Sequence, residues 1–182
     1  MPAVLAIGAN ASFVARTIDM EVEMTKNILV EAACHKGMSV TEALVNCVIF
    51  NNKTHADFAD SKALREERTI HLRHGEKMLF GANKDKGLVL EGLKLKVVTV
   101  GEDGYTIDDV LTHDAHEEST VLHTMLASMR YPEFPVAVGI IRDVARPTYD
   151  CEVAHQIEEQ QEKSPNKCAN DLFRSGEIWK IE

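Results

Sequence analysis

The chain has 182 residues, 45% of them apolar, and a formal net charge of -9 from 20 Lys and Arg against 29 Asp and Glu. That is enough apolar side chain to close one core without disulfides, and an acidic chain with no basic run interleaved with aromatics excludes nucleic acid as an expected partner. No apolar stretch reaches the roughly 20 residues a membrane helix requires, and Cys34, Cys47, Cys151 and Cys168 form no Cys-x-x-Cys pair, so a soluble cytoplasmic protein with reduced thiols is expected.

Taken in chain order, Val4 to Ile7 is a short continuous apolar run that reads as a buried strand of a parallel sheet. A chain opening on such a strand is expected to be incomplete, with neighbours supplied from later in the sequence, from a second copy or from another subunit. Asn10 to Arg16 reads as a turn leading into a short helical piece. Met24 to His35, with Ile28, Leu29, Ala32 and Ala33 at helical spacing, reads as a helix stopped by Gly37. Ser39 to Phe50 reads as a second strand, completing a strand-helix-strand unit. Asn51 to Lys53 break the pattern, and His55 to His71, with Phe58, Leu64 and Ile70, reads as a solvated amphipathic helix. Between residues 75 and 105 six glycines punctuate short apolar runs, the pattern of hairpins. Thr106 to Val110 and Glu118 to Met129 read as helices, Pro135 to Ile141 as a strand, and Thr148 to Lys163 as a helix ended by Pro165. Leu172, Phe173, Ile178, Trp179 and Ile181 are apolar for a tail, which predicts that the terminus docks on something.

Chemistry is harder to find. His71 and His74, and His113 and His116 with Asp114 and His123, have a spacing that could bring imidazoles to one helical face around a transition metal. No glutamate follows the first histidine as in zinc proteases, so chance pairing is the preferred interpretation and no metal site is assigned. Ser12 and Ser39 lack a Gly-x-Ser-x-Gly elbow. Cys47, within an apolar strand, reads as packing. Gly81 to Gly87 is glycine-rich with two lysines but is not followed by Gly-Lys-Ser/Thr, so a solvated turn is expected rather than a phosphate cradle. Arg16, Arg142 and Arg146 sit where carboxylate pairing or interface salt bridges are expected.

Several segments in order carry a resemblance: AVLAIGANASFVAR (Ala3 to Arg16), EAACHKGMSVTEALVNCVIFNN (Glu31 to Asn52), KMLFGANKDKGLVLEGLKLKVVTVG, VLTHDAHEE, and FPVAVGIIRDVARPTYD (Phe134 to Asp150). Together they resemble the C-terminal part of the thiamine-diphosphate-binding β subunit of 2-oxoacid:ferredoxin oxidoreductases, the 2-oxoglutarate-like branch in particular. Ser12 stands where threonine is usual and Asn46 where proline is common. The resemblance implies an α/β fold, part of a thiamine-diphosphate-binding domain with a mostly parallel sheet flanked by helices. It further implies a single domain over residues 1–182, with 1–74 as the C-terminal part of that fold and 75–182 as a C-terminal extension.

The same resemblance implies partners and cofactors. In the intact complex thiamine diphosphate attacks the 2-oxo carbon, coenzyme A accepts the acyl group, and an iron-sulfur cluster passes electrons to ferredoxin, while the protein orients the reactants. Cys47, in Cys47-Val48-Ile49-Phe50-Asn51, matches the last cluster ligand, a thiolate. The Gly-Asp-Gly motif for Mg2+ and pyrophosphate would precede Met1, and Asn51 and Asn52 do not replace its asparagines. The chain alone is therefore expected to carry no catalytic residues, to bind none of these cofactors and to be inactive without an α subunit and the N-terminal half of the β subunit. Two other readings compete with it: a non-catalytic assembly module stable as a homo-oligomer, and a small metal enzyme built on His71, His74, His113 and His116.

Overall fold

Ala3, Ala6 and Ile7 are buried while Leu5 between them is 75% exposed, an i, i+3, i+4 spacing that a helix produces and a strand does not. The chain therefore opens on a helix, α1 (Pro2–Gly8), with its proline at the helix start where the absent N–H costs nothing. The expected strand at Val4 to Ile7 is corrected on this point: an apolar run of four residues carries no period of its own. The computed structural model describes residues 1–102, 104–176 and 179. They divide into two compact units, Met1–Arg146 and Pro147–Glu182.

The first true strand, β1 (Phe13–Ile18), lies where a helical piece was expected, and all six of its residues are buried. Arg16 and Thr17 interrupt its apolar pattern, which conceals a strand covered on both faces. Helix α2 (Val22–Cys34) follows and ends at His35, two residues before Gly37 takes a φ of 130°. Strand β2 (Ser39–Leu44) then pairs parallel with β1, Phe13 opposite Ser39 and Ile18 opposite Leu44. The strand-helix-strand unit thus exists, shifted along the chain, and its second strand stops six residues before Phe50.

The segment from His55 is not one helix. It breaks into α3 (Ala56–Ala59) and α4 (Lys62–Arg68) because Ser61 caps the second, its Oγ accepting the Leu64 N–H at 3.2 Å. Ile70 and His71 belong instead to strand β3 (Thr69–Leu72). The expected hairpins are present as an antiparallel sheet of β4 (Leu79–Phe80), β5 (Lys86–Glu91) and β6 (Lys94–Thr99). Thr106 to Val110 is a turn rather than a helix: the Asp109 carboxylate accepts both the Thr106 N–H and hydroxyl at 2.8 Å, an alternative to helical bonding. Helix α5 (Val121–Ser128) and strand β7 (Val136–Asp143) follow as expected.

The main sheet has the order β2-β1-β7-β3, with β1·β2 and β3·β7 parallel and β1·β7 antiparallel. It is mainly parallel and flanked by helices, the α/β architecture expected of a partial thiamine-diphosphate-binding domain. On one face Val14, Ile70, Ala137 and Ile141 pack with Ala6 and Ile7 of α1 and Leu126 and Ala127 of α5. On the other, Phe13 and Ala15 pack against Ile28 of α2. Gly139 makes the close pairing of β7 with β3 possible: its φ is 102°, and a Cβ there would lie 2.4 Å from the Leu72 carbonyl oxygen.

The second unit contains α6 (Tyr149–Lys163), stopped at Ser164 before Pro165, and α7 (Ala169–Phe173), neither with a buried residue. Leu172, Phe173 and Trp179 are exposed, and Ile178 and Ile181 lie outside the described residues. Among the described residues no helix is long and apolar enough to cross a membrane.

Candidate functional site

Past the end of β2, residues 45–53 form a tight turn, and Cys47 sits in it rather than inside a strand. Cys47 bridges to Asn51, whose N–H donates to the Cys47 carbonyl at 3.0 Å. Asn46 staples the turn from the side, accepting the Lys53 N–H at 2.8 Å and donating to Asn52 Oδ1 at 3.2 Å. Two side-chain hydrogen bonds therefore fix the position where the resembled family commonly has proline. Asn51 donates to Thr54 Oγ1 at 2.9 Å, so both asparagines are engaged in holding the turn.

Backbone hydrogen bonding from Phe50 and Ile49, with a smaller contribution from Asn51, whose N–H also serves the Cys47 carbonyl, holds the Cys47 thiol below its ordinary range against slight desolvation. Amide donors converging on sulfur favour a thiolate, the form that binds metal and attacks electrophiles. Around it Val48, Ile49 and Phe50 project outward, Ile49 82% and Phe50 90% exposed. A thiol drawn toward the thiolate by neighbouring amides, inside an apolar rim, fits one ligand of an iron-sulfur cluster. Such a cluster uses four cysteines, and no group of three or more His, Cys, Asp or Glu suited to a metal occurs among the described residues.

The histidines do not pair as their spacing suggests. His74 stacks with His116, ring centroids 4.2 Å apart, and His113 lies edge-on to His123 at 6.2 Å. His113 Nε2 donates to the Ile140 carbonyl and His123 Nε2 to the Asp114 carbonyl, each at 2.8 Å. His123 Nδ1 accepts from Arg142 Nη1 at 3.1 Å, and the guanidinium also donates to the Glu117 and Glu118 carbonyls. Burial holds both His113 and His123 below their ordinary values, hence neutral. These side chains knit loop 113–118 to β7, and Arg142 serves carbonyls instead of the carboxylate expected for it. His71, on β3, lies 3.7 Å from Glu21. Arg16 does meet a carboxylate, Glu42 at 2.8 Å, and Arg146 meets Glu118.

One constellation escaped the sequence. Ser12 Oγ lies 2.9 Å from His35 Nε2, and His35 Nδ1 lies 2.8 Å from Asp143 Oδ1. The order is that of a serine-histidine-aspartate relay, yet Ser12 is 2% exposed and its Oγ also accepts the Met38 N–H at 2.8 Å. Enclosed in this way, the hydroxyl offers no approach to a substrate. The three side chains instead clamp the start of β1, the end of α2 and the end of β7. Twenty-three and 108 residues separate the partners, and no short motif signals them. Ser39 donates to the Ala32 carbonyl at 2.9 Å, and the segment from Gly81 to Gly87 is a turn leading into β5, whose Lys86 is engaged with Glu67.

No family model matches the chain, and no solved structure does. A curated relative does: the 2-oxoglutarate oxidoreductase subunit KorB of Mycobacterium tuberculosis is 32% identical over 184 residues, covering 100% of this chain. The match is to the C-terminal part of that subunit. The chain spans about half of its relative's length, 48%. The resemblance drawn from the sequence motifs is thereby upheld over the whole chain.

Proposed function

We propose that this chain serves as a portion of the β subunit of a 2-oxoacid oxidoreductase, with 2-oxoglutarate the favoured substrate. The observation that carries the proposal is the identity to a 2-oxoglutarate oxidoreductase subunit along the entire chain. In this reading residues 1–74 contribute β1, β2 and β3 to a thiamine-diphosphate-binding fold, and β7, from the expected extension over residues 75–182, lies between β1 and β3 in its sheet. The chain works with the other half of the β subunit and an α subunit, in the cytoplasm, and ferredoxin receives the electrons.

Cys47 is the residue through which the chain contributes to chemistry. When bound, the cluster supplies one-electron transfer out of the active site. The amides of Phe50, Ile49 and Asn51 favour the Cys47 thiolate and would stabilise charge on its sulfur. The apolar side chains of Val48, Ile49 and Phe50 exclude water once covered. In this reading thiamine diphosphate and Mg2+ belong to the intact complex, and no step is assigned to this chain through them.

Anaerobic reconstitution with iron and sulfide of the chain, coexpressed with the remaining half of a KorB-type subunit, tests the assignment. Cys47→Ala is expected to lower bound iron and alter the electron paramagnetic resonance of the reduced complex. Unchanged iron content and spectrum would remove Cys47 from the ligand set.

A further inference from the structure

Strand β3 pairs with β7 only from Val136 to Gly139, although β7 runs on to Asp143. Past that point loop 113–118 lies along β7 instead, and the Asp143 N–H donates to the Ala115 carbonyl at 2.7 Å. Imidazoles fasten it there. His113 Nε2 donates to the Ile140 carbonyl, His116 Nδ1 to the Asp143 carbonyl and His123 Nε2 to the Asp114 carbonyl, while His74 Nδ1 accepts the Ala115 N–H at 3.3 Å. Arg142 adds its donations to the Glu117 and Glu118 carbonyls.

These contacts suit neutral rings. A proton on His74 Nδ1 removes the acceptor of the Ala115 N–H and turns the ring to the Asp114 carboxylate 3.2 Å away, which already accepts the His116 N–H at 2.9 Å. A proton on His123 Nδ1 is set against the Arg142 guanidinium that donates to that atom at 3.1 Å. His113 Nδ1 is buried with no partner among the described residues, so a proton there stays unbonded. Charging His74 and His116 together puts like charges on rings 4.2 Å apart. Carboxylates face the cluster from the loop (Asp114, Glu117, Glu118), from the turn after β3 (Glu76), from β7 (Asp143) and from α2 (Glu23, Glu31). Arg73, Arg142 and Arg146 bring positive charge to it, and His35 and His71 are its neighbouring imidazoles. At His113 and His123 burial outweighs the carboxylates and keeps both rings neutral.

We propose that loop 113–118 is an acid-released latch: protonation of the histidines that fasten it detaches it from the end of β7 while the sheet stays folded, and widens the cleft of about 690 Å³ that Ala115 and His116 line together with Met24 and Ile28 of α2. The latch goes beyond the functional reading above and stands without it. Its hinge is at Thr112, bridged to Lys77, and at the His113 backbone, which pairs with the Glu76 carbonyl and the Gly75 N–H. None of those hinge contacts titrates. The sign follows from the two buried rings: in the closed loop they sit below 6.5, and in the open loop they regain it. Closure is therefore fully supported above about pH 6.5 and is lost as pH falls below it, by up to about tenfold per pH unit for each proton taken up.

Amide hydrogen exchange of the full chain at about pH 7.5 and about pH 5.5, corrected for the intrinsic pH dependence of exchange, tests the latch. Protection of the Ala115 and Asp143 N–H groups is expected to fall about tenfold or more, and that of Ala15 in β1 by less than about threefold. A glutamine side chain can accept from Ala115 or Arg142 but takes up no proton. His74→Gln combined with His123→Gln is therefore expected to reduce the fall at Ala115 and Asp143 to less than about threefold. If circular dichroism shows the double variant unfolded at neutral pH, His74→Gln alone, at a half-exposed side chain, takes its place, with a smaller fall than the parent's expected. His71→Gln, whose ring faces Glu21 rather than the loop, is expected to match the parent. Unchanged protection at Ala115 and Asp143 would overturn the latch. An equal fall at Ala15 would overturn it too, by showing that acid loosens the whole sheet, and so would a full fall persisting in the glutamine variants.

Discussion

β3 and β2 both close an edge of the same four-stranded sheet, yet Thr69, Ile70 and Leu72 of β3 are buried, whereas β2 runs into Val48, Ile49 and Phe50, all turned to solvent. At β3 the chain supplies its own cover: α4 leads directly into the strand, and Ile70 and Leu72 share a core with Met78, Phe80 and Leu88. Past the end of β2 the turn bearing Val48, Ile49 and Phe50 is exposed, and there the chain places a cysteine whose thiol is held toward the thiolate. The well-packed region explains why the chain folds; the exposed one carries the candidate ligand.

If this contrast is right, substitutions should separate by region. Phe13→Ala, which empties a fully buried ring site between β1 and α2, is expected to cost about 3–5 kcal/mol in chemical denaturation. Gly139→Ala forces a side chain onto the Leu72 carbonyl at an unfavourable φ, and should cost about 2–3 kcal/mol and release the β3 edge in hydrogen exchange. Ser12→Ala leaves the Met38 N–H and one nitrogen of His35 without their partner, a loss of about 1–3 kcal/mol, while Ser12→Thr keeps the hydroxyl and should be milder.

Acid should act on the same packed region. Burial holds His113 and His123 neutral in the folded state, below the ordinary value of 6.5. On unfolding they regain that value and bind protons. The stability involved is therefore fully present above about pH 6.5 and is lost as pH falls below it. Melting curves of the parent should decline through this window, and His123→Gln should flatten part of the decline. Equal slopes for parent and variant would show that His123 is not one of the groups responsible.

At the exposed turn the effects should be smallest. Ile49→Asp is expected to change stability by no more than about 0.5 kcal/mol, because the side chain touches little of its own chain. Iodoacetamide should modify Cys47 at a lower pH than an ordinary exposed thiol, and substituting Asn46 with Ala, which unpins the turn, should raise that pH toward the usual range. A Cys47 rate indistinguishable from those of Cys34 and Cys151 would contradict the amide arrangement.

Periodicity revealed α2, α5, α6 and β7 because each is long enough to show its repeat. It failed at Val4 to Ile7, where four apolar residues fit either period, and at Phe13–Ile18, where buried Arg16 and Thr17 disguise a central strand. It also failed at Thr106 to Val110, where one aspartate side chain diverts the backbone. Cys47 was legible through the motif around it, not through its chemistry: the converging amides exist only once the turn is folded. The Ser12, His35 and Asp143 clamp was illegible for a similar reason, since its partners meet only when β1, α2 and β7 are assembled.

The proposed function has this chain joined by another polypeptide to complete a thiamine-diphosphate-binding site. Isothermal titration of Mg2+ and thiamine diphosphate into the chain alone, and into the chain combined with the N-terminal half of a related β subunit, tests it most directly. Binding only in the combined sample is the predicted result; tight binding by the chain alone, or none in either sample, would contradict it.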